Sequence, residues 1–204
     1  MINKFIFLHI MKTGGTSVLR EFERIYKRKY YSDPSADVDR TVHGLLCMTD
    51  KSDNLYPNID YNMYDVIHGH FTIKKYCHLN RPIFTILRDP VERVISHYAS
   101  AKHHAKKSLS VEFFVKANSN LQSKMSGGNL EKFFFVGIIE RLEESMNILG
   151  KLIGHKLNTT HLNQARWKKL QFTKKQIEFV KKYNKKDLKL YDQALKLLDK
   201  NDFI

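Results

Sequence analysis

The sequence predicts an α/β fold in three layers: a mainly parallel central sheet, a strand-loop-helix unit at its start, and a helical C-terminal half. Three observations carry this expectation. Short apolar runs bounded by turn residues recur at 4–10, 64–68 and 82–87. The first and third run straight into segments with helical spacing, which parallel strands require of their crossovers. Beyond 140 the apolar period is helical almost throughout. With 204 residues, the chain suffices for one domain with a substantial core, 1–204.

In chain order, residues 4–10 read as a buried first strand, and 16–29 as a helix with Val18, Leu19, Phe22, Ile25 and Tyr26 on one face. Residues 32–62 mix Asp, Ser, Pro and Asn with isolated apolar residues, the pattern of an irregular connection or substrate-facing insert. Strands are expected at 64–68 and 82–87. Pro90 suits the first turn of a helix running through Val94, Ile95 and Tyr98, with Asp89 as its N-cap. A helix at 110–117, a compact strand at 133–138 and a helix at 140–152 follow. Thr173 and Gln176 form a capping box that opens another helix, and 184–198 places Leu188, Tyr191, Leu195 and Leu198 at helical spacing. No internal repeat or low-complexity linker interrupts the series.

Charge and cysteine content narrow the class. Thirty-five Lys and Arg against 21 Asp and Glu give a net charge of +14, with a pI of about 9.7. Acidic partners are expected, whether nucleotide, glycan, nucleic acid or membrane surface. Much of the excess lies late, in Arg166, Lys168, Lys169, Lys174, Lys175, Lys181, Lys182, Lys185 and Lys186, as befits a solvated helix face. Cys47 and Cys77 form neither a disulfide framework nor a metal-ligand spacing. The first apolar run is short and flows into a glycine loop without a cleavage pattern, and no run is long enough to span a bilayer. The expectation is a soluble, cytoplasmic protein.

The glycine loop is the most informative segment. After the first strand come Lys12, Thr13, Gly14, Gly15, Thr16 and Ser17, then the helix. Lacking a Cβ, Gly14 and Gly15 let the backbone turn sharply and bring several N–H groups to an anion. The helix N-terminus adds its dipole, Lys12 a mobile charge, and the hydroxyls further donors. This P-loop-like unit departs from the Walker pattern, whose lysine follows the last glycine; here it precedes both.

A second anion site is expected in the segment 85–98. Arg88 ends a strand, where its fork suits a terminal phosphate. Ser96 lies about two helical turns further on. Ligands bind beyond the carboxyl ends of strands in such sheets, where Lys12, His68, His70 and Arg88 converge.

Taken together, the motifs at 9–17 and 87–96 resemble those of the sulfotransferases that use 3′-phosphoadenosine 5′-phosphosulfate (PAPS), above all the carbohydrate branch with the heparan sulfate 2-O- and 6-O-sulfotransferases. Weaker similarity extends through 120–127, 135–140 with Ser145, 161–163, and Asp187 with Tyr191, while 31–62 has no counterpart. The resemblance implies that Lys12, Thr13, Gly14, Gly15, Thr16 and Ser17 hold the 5′-phosphosulfate, and Arg88 with Ser96 the 3′-phosphate. It also implies a late loop closing over the nucleotide, for which 163–169 is the candidate, with Arg166 and Trp167 near the adenine or 3′-phosphate.

His68-Gly69-His70 is similar to the segment whose second histidine is the catalytic base in the 2-O-sulfotransferases. That makes His70 the base, supported by His68; a neutral-range pKa suits the role. Other branches use a glutamate, and Glu21 and Glu92 are the alternatives here. A lone His-x-His makes a weak metal site, and none is expected. The implied reaction moves a sulfonate group from PAPS to an acceptor hydroxyl, on an oligosaccharide or polysaccharide by resemblance, without nucleic acid. Two other readings compete. A nucleotide-dependent phosphotransferase needs magnesium and a carboxylate at a strand end, for which Asp89 is the candidate. A basic nucleic-acid-binding module matches the charge, yet no zinc finger, RNA-recognition signature or basic zipper is present.

Overall fold

The computed structural model describes residues 1–34, 55–104, 109–158 and 170–200. Five strands form one parallel sheet: β1 (Phe5–Leu8), β2 (Tyr30–Asp33), β3 (Val66–Gly69), β4 (Ile83–Leu87) and β5 (Phe135–Ile138), in the spatial order β2-β3-β1-β4-β5. Every residue of β1, β3, β4 and β5 is buried, so both faces of the sheet are covered, as in a three-layer α/β fold. Seven helices among the described residues supply the cover: α1 (Gly15–Tyr26), α2 (Pro90–His104), α3 (Val111–Ala117), α4 (Leu121–Ser126), α5 (Leu142–Ile153), α6 (Lys174–Tyr183) and α7 (Lys185–Lys200).

The core follows from alternating aromatic and branched residues. Phe22 of α1 meets Phe5 and Phe7 of β1 edge-on, at centroid separations of 5.1 and 5.4 Å. Phe5 also packs on Phe84 of the neighbouring strand at 4.8 Å. Such pairs each add about 1 kcal/mol beyond their area burial. Helix α5 is tied to β5 by Ser145, whose hydroxyl accepts from the N–H of Ile138 (2.9 Å) and donates to its carbonyl (3.1 Å). The expected capping box is formed by Thr173 and Gln176 at the start of α6. Asp89 caps α2, its carboxylate accepting from the N–H of Glu92 at 2.9 Å.

Three elements depart from expectation. The first helix stops at Tyr26, where Lys27 takes a positive φ of 47°, and Tyr30–Asp33 becomes an edge strand rather than the start of an irregular connection. Pairing to β3 overrides the local signal there, with Tyr31 opposite Ile67. A short helix, α4, forms where none was expected, because the buried Asp187 carboxylate accepts from the N–H groups of Gln122 and Ser123 and caps it from a distant segment. In α7 the inward stripe is Asp187, Leu190, Ala194 and Leu198, rotated from the expected one, with Leu188, Tyr191 and Leu195 half-buried at its edge. Most of 32–62, and the segment 163–169 expected to close over the nucleotide, fall outside the described residues.

Candidate active site

Strand order places a crevice between β1 and β4. The chain leaves β1 toward β2 and leaves β4 toward β5, on opposite sides, so their carboxyl ends open a gap that no crossover fills. Both expected anion-binding segments border it. Leaving β1, the backbone reverses through Lys12 in the left-handed region (φ 69°) and Gly14 (φ 85°), and α1 begins. No side chain caps that helix. Apart from that of Ser17, which donates to the carbonyl of Gly14, its first-turn amides can meet an anion, and the dipole favours one.

The two glycines serve close packing as well as turning. A Cβ on Gly14 would collide with the side chain of Ile139, and one on Gly15 with the imidazole of His9. Thr13 turns inward: its buried hydroxyl donates to the carbonyl of Ile10 at 2.8 Å, bracing the loop from within. Ser17 is buried and its N–H donates to the carbonyl of Gly14 at 3.1 Å, while Thr16 is half-buried beside it.

Across the crevice, Arg88 follows the last residue of β4, and its Nη1 donates to the carbonyl of Lys12 at 3.2 Å. The Arg88 guanidinium is thereby held against the main chain of the glycine loop. Burial, then Arg88, pulls the Lys12 ammonium below its usual pKa. Burial lowers the fully enclosed Arg93 to about 10, with Arg88 adding to the effect against Asp187. Only Glu92 approaches the Arg88 guanidinium among the described carboxylates, at 3.7 Å. Ser96 is half-buried on α2. A groove of about 640 Å³ runs beside the start of α5, lined by Ile139, Glu140, Arg141, Glu144, Asn147 and Lys151 among others, and neither Lys12, Arg88 nor His70 lines it.

The histidines form a stack. His9 sits between its neighbours, with ring centroids 4.2 Å from His70 and 5.0 Å from His68. His70, just past β3 and half-buried, has its Nδ1 at 2.6 Å from the carbonyl oxygen of His9. A carbonyl only accepts, so Nδ1 carries the hydrogen, and in the neutral ring Nε2 carries the lone pair. His68 lies in the core, parallel to Phe7 at 5.6 Å; burial drives its pKa down to about 3. It packs against His9, which lies between it and His70. Burial also holds His9 well below the usual histidine range, reinforced by His70, His68 and Lys12.

A model of the sulfotransferase family matches residues 2–194. The chain belongs to that family. Both halves of the crevice fall inside the match. No curated relative matches the chain. In this sulfotransferase the half-buried Glu92 lies beside Arg88, while Glu21 is turned away, its carboxylate paired with Arg24 at 2.8 Å and accepting from the N–H of Asn158. Arg166 and Trp167 lie outside the described residues. Among those described, no three His, Cys, Asp or Glu side chains are grouped to hold a metal ion, and no helix is long and apolar enough to cross a membrane.

Sequence reasoning left several members of the site without a role. His9 stands inside the loop motif, but its contact with Gly15 and His70 depends on sheet geometry. Gln122, Glu140, Asp187 and Tyr191 belong to the segments of weaker similarity, and they hold the Arg88-Asp89 turn from behind. The Gln122 carboxamide bonds both polar groups of the Arg88 main chain, and Glu140 accepts from the N–H of Asp89 and the hydroxyl of Tyr191.

Proposed function

We propose that this sulfotransferase moves a sulfonate group from PAPS to a hydroxyl of a carbohydrate, leaving 3′-phosphoadenosine 5′-phosphate. The observation that carries the reading is the 3.2 Å contact of Arg88 Nη1 with the carbonyl of Lys12, which brings two anion-binding segments to one crevice. The side chains and amides around it suit a donor that carries phosphate at two positions. Burial and like charge disfavour the Lys12 cation, an imbalance that a bound polyanion offsets.

In this reading Lys12, the amides of 13–16 and the Ser17 hydroxyl hold the phosphosulfate and offset charge gathering on the leaving phosphate oxygen. The Thr13 hydroxyl is committed to Ile10, so Thr13 contributes through its N–H. Arg88 and Ser96 hold the 3′-phosphate, and Arg166 and Trp167 are the candidates to cover the nucleotide. PAPS supplies the activated sulfur. The acceptor oxygen bonds to that sulfur as the bond to the phosphate oxygen breaks, and His70 Nε2 takes the hydroxyl proton. Positioning and charge compensation do the rest. A carbohydrate acceptor rests on resemblance, helped by the net charge of +14 if the glycan is acidic.

The phosphotransferase alternative needs a carboxylate to hold magnesium. Asp89 is committed to the N-terminus of α2 through Glu92, which weakens that role. Calorimetric titration tests the choice. Selective binding of 3′-phosphoadenosine 5′-phosphate over adenosine 5′-phosphate, weakened by Lys12→Ala and Arg88→Ala, is expected. Preference for ATP with magnesium would overturn the reading.

A further inference from the structure

Arg88 is the first residue beyond the end of a strand. The ladder to β1 ends at Thr85, and that to β5 at Leu87 opposite Ile138, so neither neighbouring strand pairs with the main chain at 88. One side chain takes their place. The Gln122 Oε1 accepts from the N–H of Arg88, and its Nε2 donates to the carbonyl of Arg88, each at 2.9 Å. The two contacts reproduce on one residue what an adjoining strand provides.

Gln122 is itself fully buried and firmly held. Its N–H donates to Asp187 Oδ2 at 3.1 Å, and that of Ser123 to Oδ1 at 2.7 Å, so the first turn of α7 fixes the start of α4. Asn120 adds a second tie, accepting from the N–H of Lys186 at 2.9 Å. Burying a carboxamide costs free energy unless both ends are bonded, and here both ends are bonded to Arg88. The amide thereby satisfies and orients the two peptide groups that flank Arg88, the residue whose guanidinium borders the crevice.

We propose that Gln122 is a positioning residue for recognition of the nucleotide 3′-phosphate, setting the Arg88 main chain so that its guanidinium meets that group, with α7 as the brace behind it. This rests on the assignment of Arg88 to the 3′-phosphate. Gln122 never touches the ligand. Its loss should therefore erode discrimination for the 3′-phosphate while sparing affinity for the rest of the nucleotide.

The test compares wild type with Gln122→Met, which keeps the volume and removes both hydrogen bonds, and Gln122→Glu, which accepts from the N–H and opposes the carbonyl. The Kd values for adenosine 5′-phosphate and 3′-phosphoadenosine 5′-phosphate are measured by calorimetry, and exchange of the Arg88 amide by mass spectrometry. The preference for the 3′-phosphate should fall about tenfold in both variants, with adenosine 5′-phosphate affinity held within about twofold and faster exchange at Arg88. If either variant fails to fold, Asp187→Asn, which weakens the cap on α4, should lower the preference by about threefold. An unchanged preference alongside faster exchange would overturn the proposal and leave Gln122 a packing residue. A wild type indifferent to the 3′-phosphate would overturn the reading of Arg88 and the proposal with it.

Discussion

The Nδ1 of His70 lies 2.6 Å from the carbonyl oxygen of His9, so the residue that follows the first strand fixes the tautomer of the histidine that follows the third. His70→Asn places an amide nitrogen where Nδ1 was and removes the distal ring nitrogen. Turnover should drop by about 10²–10⁴, with nucleotide Kd within about twofold. Release of 3′-phosphoadenosine 5′-phosphate in the presence of a polysaccharide acceptor measures the rate. An unaffected rate would move the base to Glu92.

Lys12 has its pKa lowered by burial and then by Arg88. An anion seated on the loop raises it again, so binding takes up protons in a window below the usual 10.5. Calorimetry of 3′-phosphoadenosine 5′-phosphate binding in buffers of different ionisation enthalpy, near pH 9 and at pH 7, reads that uptake. The uptake should vanish in Lys12→Ala.

Ser145 is fully buried and makes both its hydrogen bonds to the main chain of Ile138. Ser145→Ala strands a buried N–H and should lower stability by about 1–3 kcal/mol in urea unfolding. Ile139 and Glu140 follow directly, so a smaller loss of nucleotide affinity should accompany it. Unchanged stability would mean that a buried water replaces the hydroxyl.

His97 is buried on α2 against Phe114, and burial, then Arg93, lowers its pKa from 6.5 to about 3. The unfolded chain takes a proton on this residue below pH 6.5, and the folded chain does so only near 3. Its contribution to stability is complete above pH 6.5 and is lost as the pH falls from there toward 3. His97→Phe should flatten the fall in Tm between pH 6.5 and 4 relative to wild type. A slope that does not change would assign the acid sensitivity to His68, whose pKa is displaced the same way.

Much of the fold was legible because four strands are apolar runs with clear turn residues, and α2 and α6 announce their caps in sequence. The edge strand β2 was not, since Tyr30 and Tyr31 gain their strand character from β3 rather than from their neighbours in the chain. Helix α4 was hidden for a similar reason: its capping carboxylate, Asp187, lies 65 residues from Gln122. Within the site, glycine spacing and the Arg-Asp-Pro turn marked the two segments that meet at the crevice. Residues acting through long-range hydrogen bonds, Gln122 and Glu140, carry no local pattern that tells a clamp from a surface amide or acid.

Thr85 donates its hydroxyl to the carbonyl of Leu8 across 77 residues of chain, at the edge of the crevice between β1 and β4. The glycine loop is built early in the sequence, but its partner cation arrives only when β4 docks on β1. Folding is thus governed by a non-local pairing, the slow kind of event. Any intermediate lacking that docking holds Lys12 without Arg88. A nucleotide ligand that needs both cations should therefore bind only chains in which β4 has docked on β1, and so stabilise that pairing.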